Sequence, residues 1–362
     1  MSKRLILVGA SVRACAASAV KAGFAPEAFD LFADADLRAL CTTTCLVCGY
    51  GNLDTVFSAG PEPWMYTGGL ENRPRLIDRL ALLRPLWGIS GQALRHAKRP
   101  WHWCRLLRDA GFTVPDWVSE EGPRLVKPLA GAGGKGVEPW LSNRKPAPWR
   151  AFLQERIGGD CSVSGLYCAL ENRVVLLGVT RQMVGAPTGP FAYRGSIGPL
   201  KIDTDVQADM QSMGSVLGET MGLRGLFGVD GILTPTGFVP VEINPRYPAS
   251  AEVVEHATGM SMVRWHAAAF GLGDIPAMQP PRGVVAKEII YAARQTLVPE
   301  GLGIFEGIAD IPDALTVVQS GWPILTCLSE GADELETMTR LKELRARVEQ
   351  KLANSVQFEA LE

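Results

Sequence analysis

The segment LFGVDGILTPTGFVPVEINPR, Leu226 to Arg246, constrains this chain more than any other. Two strand-like runs flank Thr234-Pro235-Thr236-Gly237, which reads as a hairpin turn. With the turn centred near Thr236, Asp230 falls directly opposite Glu242, on one face of the ribbon and about 5 Å away at Cβ. Glu242, Asn244 and Arg246 alternate, so they share that face. Two facing carboxylates repel unless a cation lies between them. An oxygen-lined cluster of Asp, Glu and Asn suits Mg²⁺, or Mn²⁺, completed by phosphates and water. Arg246, beyond the metal, is placed to neutralise a transferring phosphoryl group or a carboxylate. The competing reading is a surface hairpin with a wet polar face, and the rest of the chain has to decide.

The deciding stretch is RLVKPLAGAGGKGVEPW, Arg124 to Trp140. Gly131, Gly133 and Gly136 match the dinucleotide fingerprint, but that motif must open a helix. Here Pro139, Pro146 and Pro148 follow, which disfavours one. A P-loop needs Gly-Lys-Ser/Thr after its last glycine, and this chain has Gly136-Val137. In a protein-kinase loop the lysine comes later, on another strand. The order found here is strand, Lys127, glycine-rich flap, second strand. It describes a mobile hairpin folding over a triphosphate with the lysine beneath it.

Composition sets outer limits. A chain of 362 residues, 47% hydrophobic and 20% charged, has room for two or three domains. A net charge of −2 gives no support to nucleic-acid binding. The apolar run Leu5–Ala10 is too short for a secretory leader, and no run is long enough for a membrane span, so a cytoplasmic protein is expected. Cys41, Cys45 and Cys48 have a spacing that can hold an iron–sulfur cluster, but CTTTCLVCG reads better as a strand and its turn. Free thiols are expected.

RLILVGA is a fully apolar strand of the parallel-sheet kind, followed by a helix with Ser11 as N-cap and Gly23 as C-cap. EAFDLFAD and CTTTCLVCGY read as further strands, giving a doubly wound α/β unit over residues 1–95. The Gly9-Ala10-Ser11 turn reads equally as an anion site at a helix N-terminus or as a plain tight turn. A helix from Pro100 to Gly111 leads to the flap. Residues 273–362 form a smaller β-rich region closed by a charged helix, about Asp333 to Leu352.

The motifs VKPLAGAGGKGV, FLQERIGGDCSV and VDGILT…VEINPR, in this order and spacing, resemble the ATP-grasp superfamily over roughly residues 95–272. The resemblance implies a mixed α/β (α+β) ATP-grasp fold over 96–272, with the N-terminal unit as its usual Rossmann-like preceding domain. It implies that Lys127 contacts the α- and β-phosphates of ATP and that the flap, Ala130 to Gly136 with Gly131, Gly133 and Gly134, closes over the nucleotide. Gln154, Glu155 and Ile157 match the adenine hinge, Asp160 the ribose acid, and Arg181 a further phosphate contact. Asp230, Glu242 and Asn244 match ligands of one or two Mg²⁺ ions, and Arg246 the arginine beside the γ-phosphate. The family's first lysine falls on Lys98 or Arg99. The family's carboxylases continue with a QVEHPVTE-like run that holds bicarbonate, whereas this chain has YPASAEVVEHATG with a shifted VEH. His256 in it is expected to be structural.

These residues suit transfer of the γ-phosphoryl of ATP to a carboxylate, giving an acyl phosphate that an amine attacks. The resemblance therefore implies a carboxylate–amine ligase. Its partners would be a small carboxylate and an amine, and a homodimer is the family's habit. A subgroup of ATP-dependent carboligases further implies a place in methanopterin- or methanofuran-type one-carbon cofactor assembly. A bicarbonate-dependent carboxylase and a non-catalytic nucleotide sensor are the rival classes. Substrate contacts are expected from the N-terminal unit, from Gly185–Pro199 and from the Arg246–Ser250 turn.

Overall fold

The structure is a computed structural model and describes residues 3–46, 49–117, 121–141, 147, 149–159 and 161–355. Strand β1 (Lys3–Gly9) is apolar because both its faces are covered, and Leu5 to Val8 are buried. It pairs in parallel with β2 (Phe24–Asp30) and β4 (Trp64–Tyr66), and β2 pairs with β3 (Thr42–Cys45), giving the order β3-β2-β1-β4. Helix α1 (Arg13–Lys21) connects β1 to β2, and α2 (Ala35–Leu40) and α3 (Leu53–Val56) follow.

Ser11 is not the α1 N-cap. Val12 holds that position, and its N–H donates to the Asp30 carboxylate at 2.7 Å. Asp30 also accepts from Phe32 and Ala33, so one buried acid ties the β1–α1 and β2–α2 turns together. Gly9 is required by close approach, since a Cβ there would lie 1.9 Å from Thr67 Oγ1.

Helices α4 (Pro74–Ala81), α5 (Gly91–Ala97) and α6 (Pro100–Asp109) lead into a small antiparallel sheet, β6-β5-β7. It is built from β5 (Arg124–Pro128), β6 (Glu138–Pro139) and β7 (Ala151–Glu155). Pro100 starts α6, as its fixed φ allows. Then come β8 (Cys161–Ala169), β9 (Val174–Ala186), β10 (Gly189–Gly198), α7 (Thr204–Met221), β11 (Gly225–Thr234), β12 (Gly237–Asn244), α8 (Ser250–Thr258) and α9 (Met262–Ala269). The C-terminal part adds β13 (Val284–Tyr291), β14 (Thr296–Leu297), β15 (Ile308–Ala309), β16 (Val317–Val318), β17 (Pro323–Gly331) and α10 (Glu334–Ser355).

The C-terminal strands do not make a sheet apart, so hydrogen bonds cross the boundary expected at residue 273. One eight-stranded sheet runs β12-β11-β8-β9-β10-β13-β17-β15, and of the C-terminal strands among the described residues β14 and β16 pair off separately. The join is β10 on β13, from Gly195↔Glu288 to Gly198↔Val285. Strand β10 occupies the stretch from Gly185 to Pro199 that the sequence left without a motif.

Candidate active site

The β11–β12 hairpin puts Asp230 opposite Glu242, as its sequence suggested, by a route the sequence did not show. The turn is tighter by half a residue, with Thr234 paired to Gly237 and Gly231 to Pro240. A β-bulge at Val241 then restores the register between Asp230 and Glu242. The bulge also frees the Val241 carbonyl from the ladder. It accepts from Lys127 Nζ at 3.0 Å and from Gln154 Nε2 at 3.3 Å, and Lys127 also donates to Gln154 Oε1 at 3.1 Å. The irregularity in one sheet thus fixes the lysine of another. Loss of water around the Lys127 ammonium lowers its pKa, and Glu242 and Asp230 partly counter this.

Burial and then repulsion from Glu242 raise the Asp230 carboxyl, while hydrogen bonds from Ser164 and Gln182 pull the other way. A divalent cation between the two carboxylates would relieve both causes, and an all-oxygen donor set suits a hard cation. Among the described residues no group of three or more His, Cys, Asp or Glu is arranged to hold a metal. Two carboxylates fit Mg²⁺ completed by phosphate oxygens better than a protein-caged ion. Asn244 donates to Asp230 at 2.8 Å and accepts from Arg246 at 2.8 Å, so as arranged it couples the acid to the arginine.

Arg246 is held at its other edge by Glu71, 3.1 Å away on the turn Leu70–Asn72. Sequence reading missed Glu71, since nothing local in LENRP announces a partner 175 residues away. It also left Lys98 and Arg99 undecided. Lys98 reaches to 3.8 Å from Glu242, while Arg99 lies over the Trp101 ring at 5.9 Å.

A cavity of about 490 Å³ is lined by Lys127, Gly133, Gly134, Asp230, Glu242 and Arg246 among others. Gln154, Glu155 and Ile157 also line it, although Glu155 accepts from the Asp116 N–H at 2.9 Å and Gln154 turns to Lys127. Of the flap, Gly133 and Gly134 line the cavity, while Ala130, Gly131 and Gly136 do not. The flap sits on β10, with Tyr193 N–H donating to the Gly133 carbonyl at 2.8 Å. Gly134 has φ +69°, and a Cβ there would lie 2.0 Å from the Phe191 carbonyl oxygen.

Arg181 is a correction. It points away from the cavity and pairs with Glu334 of α10, while its neighbour Gln182 lines the cavity and bonds Ser162 at 2.7 Å. Successive residues of a strand face opposite ways, so only one of the two can reach the site. Asp160 and Cys48 lie outside the described residues.

A larger cavity of about 640 Å³ adjoins the first, sharing Gly133, Tyr193, Arg246, Pro248 and Ala249 with it. It lies between the ends of β1 and β2, the Arg246–Ala249 turn and the C-terminal strands. Arg246 therefore stands where two chambers meet.

A family model described as an ATP-grasp domain matches residues 97–250, the stretch that holds Lys127, the flap and the hairpin carboxylates. Over that stretch the chain is similar to the ATP-grasp domain family. Over 231 residues it is 26% identical to the formate-dependent phosphoribosylglycinamide formyltransferase of Prochlorococcus marinus, a match covering 60% of this chain and 55% of that protein. The chain thus spans about half the length of this curated relative.

The fold is shared far more widely than the sequence. The phosphoribosylamine–glycine ligase of Thermotoga maritima superposes with a TM-score of 0.72 at 18% identity, over 95% of this chain and 96% of that one. The biotin carboxylase domain of the Hydrogenobacter thermophilus 2-oxoglutarate carboxylase, solved with MgADP, ADP and bicarbonate, gives 0.72 at 14%, over 95% and 89%. No helix among the described residues is long and apolar enough to cross a membrane.

Proposed function

We propose that the protein is an ATP-dependent carboxylate–amine ligase that makes a C–N bond through an acyl phosphate and releases ADP and phosphate. The observation that carries this is the meeting of the two cavities at Arg246, with the paired carboxylates and Lys127 on one side of it. In this reading MgATP fills the smaller chamber. Asp230 and Glu242 hold Mg²⁺, which supplies positive charge to the phosphates when bound, and Asn244 positions Asp230 and Arg246. Lys127 and Lys98 sit against the phosphates, and the flap excludes water. Arg246 faces the carboxylate that receives the γ-phosphoryl group, held in place by Glu71. Gln154, Glu155 and Ile157 line the adenine end.

The carboxylase alternative loses its bicarbonate run. Glu255 is spent on Ser18 and the Met262 N–H, and His256 pairs with Glu330 at 3.1 Å, so neither residue lines a chamber. The placement in methanopterin- or methanofuran-type cofactor assembly follows from the family resemblance alone. A homodimer belongs to the same reading, and light scattering tests it. The function is tested by ADP release with MgATP across carboxylate–amine pairs, with a bicarbonate arm and Glu242→Gln as the blank. Release requiring both a carboxylate and an amine, and absent from the blank, is expected. Release driven by bicarbonate alone would move the protein to the carboxylases, and ATP binding without turnover would make it a sensor.

A further inference from the structure

The larger cavity carries a charge arrangement that reports on its occupant. Each cation lining it is already paired. Arg13 lies against Glu252 and Asp310, Lys287 against Glu252 at 3.0 Å, and Arg246 against Glu71 at 3.1 Å. The anion position at the start of α1 is also taken, because Asp30 accepts the Val12 N–H. Away from Arg246, which the ligase reading reserves for the acceptor carboxylate, a phosphate or carboxylate entering here meets no uncommitted positive group.

The lining acids differ from one another. Glu252 and Asp310 are paired as above, and Asp313 pairs with Arg38 at the surface. Asp34 is only 8% exposed, lines the cavity, and among the described residues makes no side-chain hydrogen bond, not even a cap to α2, whose first N–H goes instead to the Ile311 carbonyl at 2.8 Å. A buried carboxylate without a donor is costly, so such a group either stays protonated or waits for a cation from outside. Burial first, then Asp310, Asp30 and Asp36, push its pKa up to about 8. An arriving ammonium opposes that shift by Coulomb attraction and cancels the repulsion from the neighbouring acids. The lining also includes the apolar Ile289, Val318 and Leu325 and the exposed rings of Phe32 and Trp322, 6.3 Å apart and edge to face.

We propose that this cavity binds a substrate with a primary ammonium group on an apolar, ring-sized body, the ammonium seated on Asp34 and the body against Phe32 and Trp322. The proposal rests on the ligase reading, because it names the class of its amine-bearing substrate. It also separates this chain from relatives whose names carry a phosphoribosyl group, for which a set of compensated cations would be a poor match.

Titration calorimetry of the full chain tests it, using phenethylamine, phenylpropionate and ribose 5-phosphate as probes, with MgATP titrated separately. Phenethylamine is expected to bind, and Asp34→Asn to weaken it at least tenfold while leaving MgATP binding and the melting temperature unchanged or the latter raised. A merely structural aspartate would instead lower the melting temperature when replaced. Phe32→Ala should weaken phenethylamine more than methylamine, and this variant keeps the test alive should Asp34→Asn fail to fold. Absence of phenethylamine binding, equal binding by Asp34→Asn, or tighter binding of phenylpropionate or ribose 5-phosphate than of phenethylamine would overturn the proposal. Failure of MgATP to bind would strike the ligase reading instead.

Discussion

Lys98 and Arg99 are neighbours in sequence that diverge in space, one toward Glu242 and one onto Trp101. Lys98→Met is predicted to lower kcat/KM for ATP at least tenfold, about 1.4 kcal/mol or more, with Arg99→Met within about twofold of the parent. Steady-state ADP release distinguishes them. His266 gives a stability signature. Burial lowers its pKa to about 4, partly countered by the Trp87 carbonyl 3.0 Å from Nε2, while the ring's Nδ1 accepts from the Leu226 N–H at 2.9 Å. A folded pKa below the unfolded value of about 6.5 means full stability above pH 6.5, lost as pH falls toward 4, by roughly 3 kcal/mol. Urea melts between those pH values should show this slope, and His266→Gln should flatten it. At this scale the sequence was legible where chemistry is local. The Asp230–Glu242 pair spans one hairpin, whereas Glu71, Gln182 and Lys98 reach the site only through tertiary packing.

The hairpin turn was readable from Thr-Pro-Thr-Gly, but the bulge was not, because Val241 is an ordinary strand residue whose displacement depends on partners in β5 and β7. Deleting Val241 would give β12 a regular ladder and keep Asp230 opposite Glu242. It would also withdraw the carbonyl that holds Lys127 and Gln154. The deletion is predicted to preserve folding by circular dichroism and to lower kcat about 100-fold. The flap glycines were legible because positive φ and close approach leave few alternatives. Gly134→Ala should prevent the flap from seating on β10 and raise the KM for ATP, with little change in melting temperature, since the flap is not part of the core. Arg181 misled because strand phase assigns each residue to a face, and family likeness does not supply the phase.

Across the whole molecule, Arg13 of α1 joins Glu252 of α8 and Asp310 beyond β15, and Lys287 of β13 closes the network. Arg13→Met should cost about 3 kcal/mol or more in chemical denaturation, because it leaves Glu252 and Asp310 short of a partner in a buried place. The α/β start and the metal hairpin were legible from apolar runs and turn residues. The single sheet was not, because the β10–β13 pairing is long-range and FAYRGSIG carries no turn or period that announces a partner 90 residues on. That sheet matters to function, since it brings β17 and the loop at Asp310 to the wall of the larger cavity and so makes the second chamber. The central claim is that the two chambers meet where a carboxylate is phosphorylated. The most direct measurement uses ¹⁸O-labelled carboxylate with the amine that supports ADP release, followed by mass spectrometry of the phosphate. An acyl-phosphate ligase transfers one ¹⁸O to each phosphate formed; product accompanied by unlabelled phosphate would contradict the account.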